Sequence, residues 1–600
     1  MAQYVFIKFR DPAASGSALS RLESICEMLT PHSLQGRCNH IVAEWPGSSG
    51  GYYAIQNSDS VTDQAAGQLT IGWVASDEDE EASIERHSVQ ADGSYAVIQA
   101  NTQEVSFFTD QFGSRTLWYY MDDEMLVVST SQRAIVRFKG AFAPNQAATG
   151  WFLSSGCQGP FAAWDEKIVQ VKPGLEYVLD VSQWQIDARP KPGIALPQSG
   201  KESSQNYLDQ FESQVIDTIK KIVGSHESGE VLLPLSGGLD SRLLLALSRE
   251  AGVASNVELV NWGIEQRDTV FDDKRAAQRI ADTYRKPLLD RFLPTQGGDY
   301  DDVLDRFVEA SEGRIDHFNA YTDGFSMWDE FYRSGFRCAL RGDIPFPTAI
   351  YADQLSARQQ LGFATFEDYA NTRHFSALFD QRSASLDVAL LPGETLVQWR
   401  DRLYASYRIP MVVSAFTDLV SGHVENYSPM MSWSLFKAYV ALPDHAKGDK
   451  KHIRRLWRKH DHSGVPSHAE GSLASPVSFF QNTTGRRFMN DYLTTLRQSQ
   501  RFPTPVLDMA SAPSEENDQQ TPTRSAKLLR TGRSWVSRHL PRSLKAYLKA
   551  KRPYRLSPQT LAYRLVLVDK ILNMYEADAK QGAVQRPNAQ ETAHLAQGKS

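Results

Sequence analysis

The sequence predicts an α/β protein in which a β-rich amino-terminal part precedes a parallel sheet flanked by helices. Three observations support this fold class. Residues 1–188 contain short β-type runs separated by Gly, Asn, Asp and Ser, which is typical of a mostly antiparallel sheet. A helical pattern begins near residue 201. Beyond it, strand-like and helix-like segments alternate, as they do in a parallel sheet covered by helices.

The amino-terminal part is predicted to be β-rich because apolar residues recur in short runs. Examples are residues 95–98 (Tyr-Ala-Val-Ile), 105–108 (Val-Ser-Phe-Phe) and 126–129 (Leu-Val-Val-Ser). Residues 1–10 have the alternating pattern of a strand and lack the regions of a signal peptide. Residues 189–200 are rich in Pro, Gly and Ser, so we predict a linker there.

The parallel sheet is predicted from a periodic helix and two strand candidates. Apolar residues recur every three or four positions after residue 206, at Tyr207, Phe211, Val215, Ile219 and Ile222. This apolar helix face leads into the run Leu232–Leu235. A second strand candidate, residues 257–262, is followed by a helix candidate over 272–281. We assign residues 201–500 to this second domain.

Residues 501–600 are predicted to lie outside both domains. Residues 503–525 are rich in Pro, Ser, Gln, Glu and Thr, which indicates a flexible segment. Residues 524–555 contain eleven Lys or Arg and no Asp or Glu, with apolar residues between them. This pattern predicts a basic amphipathic helical tail that contacts an acidic partner or a membrane surface. The alternative is a solvated helix that balances an acidic body.

Composition narrows the class of protein. A chain of 600 residues with 41% hydrophobic content is expected to form two or three globular domains. Its net charge of −7 argues against nucleic acid as the main partner. No apolar stretch reaches the roughly 20 residues that cross a bilayer. The four cysteines form no Cys-x-x-Cys pair, so we expect no zinc site, no disulfide framework and a cytoplasmic location.

The strongest chemical signal is the run Ser-Gly-Gly-Leu-Asp-Ser at residues 236–241. It follows an apolar strand and opens an amphipathic helix, which is the layout of a phosphate loop. We expect phosphates on Ser236, Gly237, Gly238 and Ser241, with Asp240 holding Mg²⁺. The run lacks the Gly-Lys-Ser/Thr ending of the Walker loop and resembles the pyrophosphate loop of ATP pyrophosphatases. The alternative is a plain glycine turn between a strand and a helix.

Further segments resemble the glutamine-hydrolysing asparagine synthetase family, in the same order along the chain. Residues 91–96 and 110–119 resemble its glutaminase motifs, and residues 168–174 resemble its Pro-Gly turn. Residues 427–432, 441–443 and 448–454 resemble its late segment. The resemblance covers roughly residues 90–460.

The resemblance implies an amino-terminal glutaminase-like sandwich of the Ntn type and an ATP-pyrophosphatase synthetase domain. ATP and Mg²⁺ would be bound by the loop, with adenine against Leu235 and the Trp262 region. Arg341-Gly342-Asp343 stands where the family has Ser-Gly-Glu, so Asp343 would lie near the acceptor amine. Lys451 matches the lysine that neutralises charge in the transition state.

The sequence also departs from the family. The catalytic cysteine that follows the initiator methionine is replaced by Ala2, so we expect no glutaminase activity and a degenerate glutaminase-like domain over residues 1–188. The family's second magnesium aspartate falls at Phe346. We therefore consider Asp272 or Asp273 as the second carboxylate.

A synthetase without glutaminase chemistry must receive its amine by another route. The length, the altered motif at 341–343 and the basic tail favour the lasso-peptide cyclase branch, in which a peptide amino terminus attacks an activated Asp or Glu side chain. The implied partners are a precursor peptide and a leader-peptidase protein. Alternatives are an ammonia-dependent asparagine-synthetase-like enzyme, a β-lactam-synthetase-like enzyme, and a non-catalytic ATP-binding scaffold.

Overall fold

A computed structural model describes most of the chain. The described residues are 3–58, 63–65, 67–74, 92–192, 195–263, 273–292, 299–318, 324–349, 351, 353–379, 381, 388–466, 480, 482–512, 547 and 553–585. Within these ranges, no helix has the length and apolar character needed to span a membrane.

Two six-stranded antiparallel sheets form the amino-terminal part. The first has the order β10-β8-β9-β1-β3-β2 and the second β12-β11-β7-β6-β5-β4. The strands are β1 Gln3–Phe9, β2 His40–Glu44, β3 Gly51–Gln56, β4 Asp63–Ala65, β5 Gln68–Val74, β6 Gly93–Ala100, β7 Glu104–Thr109, β8 Trp118–Met121, β9 Met125–Ser129, β10 Val169–Gln170, β11 Leu175–Asp180 and β12 Gln185–Pro190. The predicted antiparallel β-rich character is confirmed.

The two antiparallel sheets pack face to face around an apolar layer. In β1, Tyr4 and Phe6 enter this layer, where they join Ile71 and Ile98 of the second sheet. Val5 and Ile7 point to the opposite face of β1 and pack in another cluster. This alternation follows from the two-residue side-chain period of a strand. It buries both faces of the central strand β1.

The third sheet is parallel and five-stranded, with the order β15-β14-β13-β16-β17. Its strands are β13 Val231–Pro234, β14 Val257–Gly263, β15 Leu288–Phe292, β16 Cys338–Leu340 and β17 Glu425–Tyr427. Strand β13 pairs with β14 on one side and β16 on the other, with Leu232 opposite Glu258 and Ala339. The predicted parallel sheet is confirmed, and β13 is its central strand.

Helices surround the sheets. They are α1 Ala18–Leu29, α2 Gln132–Lys139, α3 Gln146–Ser155, α4 Ser204–Gly224, α5 Leu239–Glu250, α6 Asp273–Thr283, α7 Tyr300–Ser311, α8 Gly324–Arg333, α9 Gln354–Leu361, α10 Leu396–Leu403, α11 Ser414–Leu419, α12 Trp433–Ala441, α13 Lys451–His460, α14 Thr483–Ser499, α15 Thr504–Ala510 and α16 Pro558–Val584. A π-helix, Tyr404–Val413, continues from α10 and contains Pro410.

Helix α4 shows how the sequence pattern forms its element. The Ser203 hydroxyl accepts a hydrogen bond of 3.0 Å from the Asn206 amide and so caps the helix start. The predicted apolar face is confirmed, because all five of its residues are buried in one hydrophobic cluster with residues of the parallel sheet. The predicted linker differs at its start, since Arg189 and Pro190 belong to β12. Its end is held by Gly200, whose amide donates to the Ala441 carbonyl at 2.8 Å.

Buried polar contacts attach the antiparallel sheets to the parallel sheet. Asp92 accepts hydrogen bonds from the backbone amides of Trp433 and Ser434, at 2.7 and 3.2 Å, at the start of α12. Arg115, which is 1% exposed, forms an ion pair with Glu425 of β17. An ion pair buried this deeply requires both partners, because a lone buried charge is strongly unfavourable.

The carboxyl-terminal region departs from the prediction of a separate tail. Residues 504–510 form helix α15 within the segment that we expected to be flexible. Helix α16 is 27 residues long and packs in the largest hydrophobic cluster, beside α2, α3 and α7. The buried charged side chains of α16 pair with residues that are distant in sequence. Its sequence alone, with these charges, therefore did not indicate a core helix. Apart from Tyr547 and residues 553–555, the basic segment 524–555 lies outside the described residues.

We expect Leu567→Ala in α16 to lower the free energy of unfolding by about 2–5 kcal/mol, because its fully buried side chain would leave a cavity. Thermal and urea unfolding of the full chain would measure the loss. The control is Val584→Ala at the end of the same helix, where the side chain is 86% exposed. Equal effects of the two substitutions would contradict the core position of α16.

Candidate active site

The candidate site lies at the carboxyl end of β13, the central strand of the parallel sheet. The chain leaves β13 at Pro234, passes through Ser236–Gly238 and enters α5 at Leu239. Within the part of the chain that the structure describes, no side chain caps the start of α5. The amides of its first turn therefore point to the loop without a capping partner, together with the positive end of the helix dipole. This arrangement suits an anion such as a phosphate.

Hydrogen bonds within the loop hold its shape. The Ser236 amide donates to the Ser241 hydroxyl at 3.0 Å, and the Gly238 amide donates to the Ser236 hydroxyl at 3.1 Å. The Gly237 amide donates to Asp273 Oδ1 at 2.6 Å. Of the two carboxylates that we considered, Asp273 therefore contacts the loop, whereas Asp272 lies outside the described residues.

A cavity of about 310 Å³ opens beside this loop. Its lining residues are Pro234, Ser236, Asp240, Ser241, Trp262, Trp328, Arg341, Gly342, Val420 and Asn426. Six residues that we predicted for the site are thus brought together. Leu235 is different, because its side chain is buried in the apolar cluster of the parallel sheet and does not line the cavity.

Two tryptophans line the cavity together with the loop residues. The rings of Trp262 and Trp328 meet edge to face, with centroids 5.6 Å apart. Trp262 is the penultimate residue of β14 and was predicted, but Trp328 comes from α8 and was missed. Its apolar helix pattern gave no sign that the ring lines a cavity. Aromatic walls of this kind suit a planar heterocycle.

Gly342 allows two chain segments to approach closely at the cavity wall. A Cβ atom at this position would lie 2.9 Å from Cβ of Asp240 and 3.2 Å from the amide nitrogen of Ser241. A larger residue would therefore displace the loop or the segment after β16.

Asp240 forms an ion pair with Lys450. Burial raises the pKa of the Asp240 carboxyl, while the Lys450 ammonium acts in the opposite direction. The second carboxylate oxygen, Oδ1, is buried and has no hydrogen-bond partner among the described residues. Asp240 thus presents one paired and one unpaired oxygen beside the loop.

Lys450 reaches Asp240 because the chain turns sharply before α13. Gly448, Asp449 and Lys450 have φ angles of 82°, 53° and 52°, so three consecutive residues are left-handed. Such a run is costly for residues with a Cβ and is common at functional sites. It places the Lys450 side chain at the phosphate loop.

Lys451, the lysine predicted by resemblance, lies elsewhere. Its ammonium donates to the His445 carbonyl at 2.6 Å, and the residue is exposed. Successive side chains at a helix start point in different directions, and the neighbouring Lys450 contacts Asp240 instead. In the structure Lys450, and not Lys451, contacts Asp240.

Asp343 lies at the cavity edge in a small polar group. Its carboxylate accepts from Arg341 Nε at 3.1 Å and from the Ser428 hydroxyl at 3.1 Å. Phe346, at the family's second magnesium position, is buried and stacks on Tyr439 with centroids 4.1 Å apart. This position offers no oxygen ligand.

The residues present fit a magnesium ion held jointly with phosphates. Among the described residues, no group of three or more His, Cys, Asp or Glu could hold a metal by itself. Mg²⁺ commonly takes one or two carboxylates and completes its shell with phosphates and water. The unpaired Oδ1 of Asp240 is such a ligand, and Asp273 is the carboxylate on the other side of the loop.

Comparison with protein-family models gives no match, and comparison with curated proteins gives none either. Among solved structures, the chain is similar to a glutamine phosphoribosylpyrophosphate amidotransferase from B. subtilis complexed with ADP and GMP. The identity is 11% and the TM-score 0.19, over 48% of this chain and 90% of that chain. A structure described as the allosteric regulatory enzyme of purine biosynthesis gives 11% and 0.20, over 49% and 80%. At these TM-scores neither likeness carries an argument about fold or function.

Proposed function

We propose that this protein is an ATP-dependent carbon–nitrogen ligase that closes an amide bond within a peptide. The observation that carries the proposal is the loop Ser236–Ser241 at the end of the central parallel strand, with Asp240 and Lys450 beside it. Topological switch points of parallel sheets are where nucleotides bind. The resemblance to asparagine synthetases adds the expectation of AMP-forming chemistry.

ATP would extend along the cavity from the loop to the tryptophans. Its phosphates would contact Ser236, Ser241 and the first amides of α5, and its base would lie by Trp262 and Trp328. Mg²⁺, held by Asp240 and the phosphates, would supply charge neutralisation. Lys450 would leave Asp240 when the ion binds. Its ammonium would then contact the phosphate oxygens, which attract it as the Asp240 carboxylate does.

The reaction has two balanced steps. A side-chain carboxylate oxygen of the peptide attacks the α-phosphorus, and the bond from that phosphorus to the bridging oxygen breaks, releasing pyrophosphate. The peptide amine then attacks the acyl carbon, AMP departs with the electrons of the acyl–oxygen bond, and the amine loses a proton. The sum is loss of one water from the peptide, with ATP converted to AMP and pyrophosphate.

The carboxylate Asp343 is suited to the second step. It lies beside Gly342, which contacts the phosphate loop, and is oriented by Arg341 and Ser428. A carboxylate in that position can accept the proton that the attacking amine loses. Holding both reactants in one cavity also raises the effective concentration of the amine.

The test is mass spectrometry of the purified protein with ATP, Mg²⁺ and the candidate precursor peptide, with and without a leader peptidase. We expect a product one water lighter than the linear peptide, formed with AMP. An amino-terminally acetylated peptide is the control, because its blocked amine cannot attack. Asparagine formed from aspartate and ammonia would favour an asparagine-synthetase-like enzyme. Cyclisation of a small amino acid would favour a β-lactam-synthetase-like enzyme. ATP binding without AMP formation under any of these conditions would favour the non-catalytic ATP-binding scaffold.

A further inference from the structure

A cluster of buried charges adjoins the turn that carries Lys450. The Lys447 ammonium, one residue before the turn, is fully buried and lies 3.5 Å from Oδ2 of Asp401, whose side chain is 1% exposed. The other oxygen of that carboxylate, Oδ1, accepts from Arg400 Nη2 at 2.6 Å. We call Arg400, Asp401, Tyr439 and Lys447 the Asp401 cluster. A buried ion pair is often no more stabilising than apolar residues of similar volume, so we consider a role for these charges other than stability.

Tyr439 connects the Asp401 cluster to the backbone of the turn. Its hydroxyl accepts hydrogen bonds from Arg400 Nη2 at 3.4 Å and from the Gly448 amide at 3.3 Å. Its ring is fixed as well, because Phe346 stacks on it with centroids 4.1 Å apart. The cluster therefore holds the residue at which the left-handed run begins.

The left-handed run needs such contacts to persist. Gly448 adopts a positive φ freely, but Asp449 and Lys450 carry a Cβ atom, which makes this conformation unfavourable. The run is also held by the Asp449 amide, which donates to the Thr348 carbonyl at 2.9 Å. A right-handed conformation at Asp449 or Lys450 would turn the Lys450 side chain in another direction. The ion pair of Lys450 with Asp240 thus depends on the contacts that hold the turn.

We propose that the Asp401 cluster positions Lys450 against Asp240, so that Asp401 and Tyr439 are positioning residues for the phosphate step. Within the part of the chain that the structure describes, none of the cluster's four residues lines the cavity beside the loop. They act through the backbone of the turn, whereas Lys450 would contact the phosphates. The effect on catalysis rests on the proposed ligase function, but the placement of Lys450 does not.

The first measurement needs no catalysis. The full chain, without ATP, is treated briefly with sulfo-N-hydroxysuccinimidyl acetate, and peptide mass spectrometry gives the acetylation rates of Lys450 and Lys451 separately. We expect Y439F to raise the rate at Lys450 about threefold or more, because the Gly448 amide loses its acceptor and Asp240 no longer shields the amine. D240A, which removes the carboxylate itself, sets the upper limit of this rate. The rate at Lys451 should stay the same.

The matched control is Y575F in α16, which removes another buried tyrosine hydroxyl, one that donates to the Glu312 carbonyl at 3.1 Å. It also costs the fold one buried hydrogen bond, but it should leave the acetylation of Lys450 unchanged. D401N tests the charged part of the cluster and should act in the same direction as Y439F. Should D401N fail to fold, Y439F still decides. Equal acetylation of Lys450 in Y439F, Y575F and the unchanged protein would overturn the proposal.

Steady-state kinetics then test the consequence for the ligase. Y439F should lower kcat about tenfold with a smaller change in the KM for ATP, because the Lys450 charge acts most strongly as pyrophosphate departs. In a K450A background the same substitution should have little further effect, since a positioning residue acts only through the residue that it places. Equal losses of kcat with and without Lys450 would contradict the positioning role. Faster acetylation of Lys450 in a Y439F protein, when the unchanged protein forms no AMP, would refute only the ligase.

Discussion

Asp240→Ala is expected to lower pyrophosphate formation by about a thousandfold or more. The substitution removes the carboxylate that would hold Mg²⁺ on the phosphates, and a thousandfold loss corresponds to about 4 kcal/mol of transition-state stabilisation. The fold should persist, because the side chain is polar, belongs to the first turn of α5 and fills no apolar core. A coupled pyrophosphate assay and a melting curve would measure the two properties separately.

The matched control for this substitution is Asp217→Ala on α4, an exposed aspartate without a partner among the described residues. It should leave the rate unchanged. If folded Asp240→Ala protein releases pyrophosphate at the normal rate, the proposed magnesium role is wrong. Higher Mg²⁺ concentrations should not rescue the variant, because the ligand itself is missing.

The second prediction with a large expected effect compares substitutions of two adjacent lysines. Lys450→Ala should lower kcat by about a hundredfold or more with a smaller change in the KM for ATP, because its charge acts most strongly as pyrophosphate departs. Lys451→Ala should change kcat less than twofold, since among the described residues that ammonium contacts only the His445 carbonyl. The reverse ranking in steady-state assays would restore the assignment made by resemblance.

Lys450→Ala should also change the pH dependence of activity. Asp240 must be ionised to bind Mg²⁺, so activity is lost as the pH falls through its pKa. Burial raises this pKa and Lys450 opposes the rise. Without Lys450 the pKa of Asp240 in the free enzyme rises further, and the acid limb of the kcat/KM profile for ATP should move to higher pH.

Local patterns were sufficient to predict the strand–loop–helix layout around residues 236–241 and the helix before it. The loop residues Ser236–Ser241 are consecutive, and α4 repeats its apolar residues at helical spacing. Local patterns could not predict which of the two lysines, Lys450 or Lys451, contacts Asp240. It depends on the left-handed run Gly448–Lys450, which sets the direction of each side chain and leaves no periodic signal.

Contacts between distant segments account for the other differences. Helix α16 contains Arg564 and Asp578, charged residues that usually indicate an exposed face. In the structure Arg564 pairs with Asp316 at 2.7 Å, and Asp578 pairs with Arg133 at 2.8 Å. Each partner lies more than 240 residues away in sequence. A pattern confined to one helix cannot reveal that such charges are neutralised within the core.

The ion pair between Arg115 and Glu425 bears on how this chain could evolve. Glu425 begins β17, and the next residue, Asn426, lines the cavity beside the loop. Splitting the gene between the antiparallel and parallel sheets would leave each product with an orphaned charge in a newly exposed apolar surface. Loss of the amino-terminal half would damage the cavity wall as well. Selection for the cavity can therefore also maintain the amino-terminal sheets, because the parallel sheet depends on them for this buried charge pair.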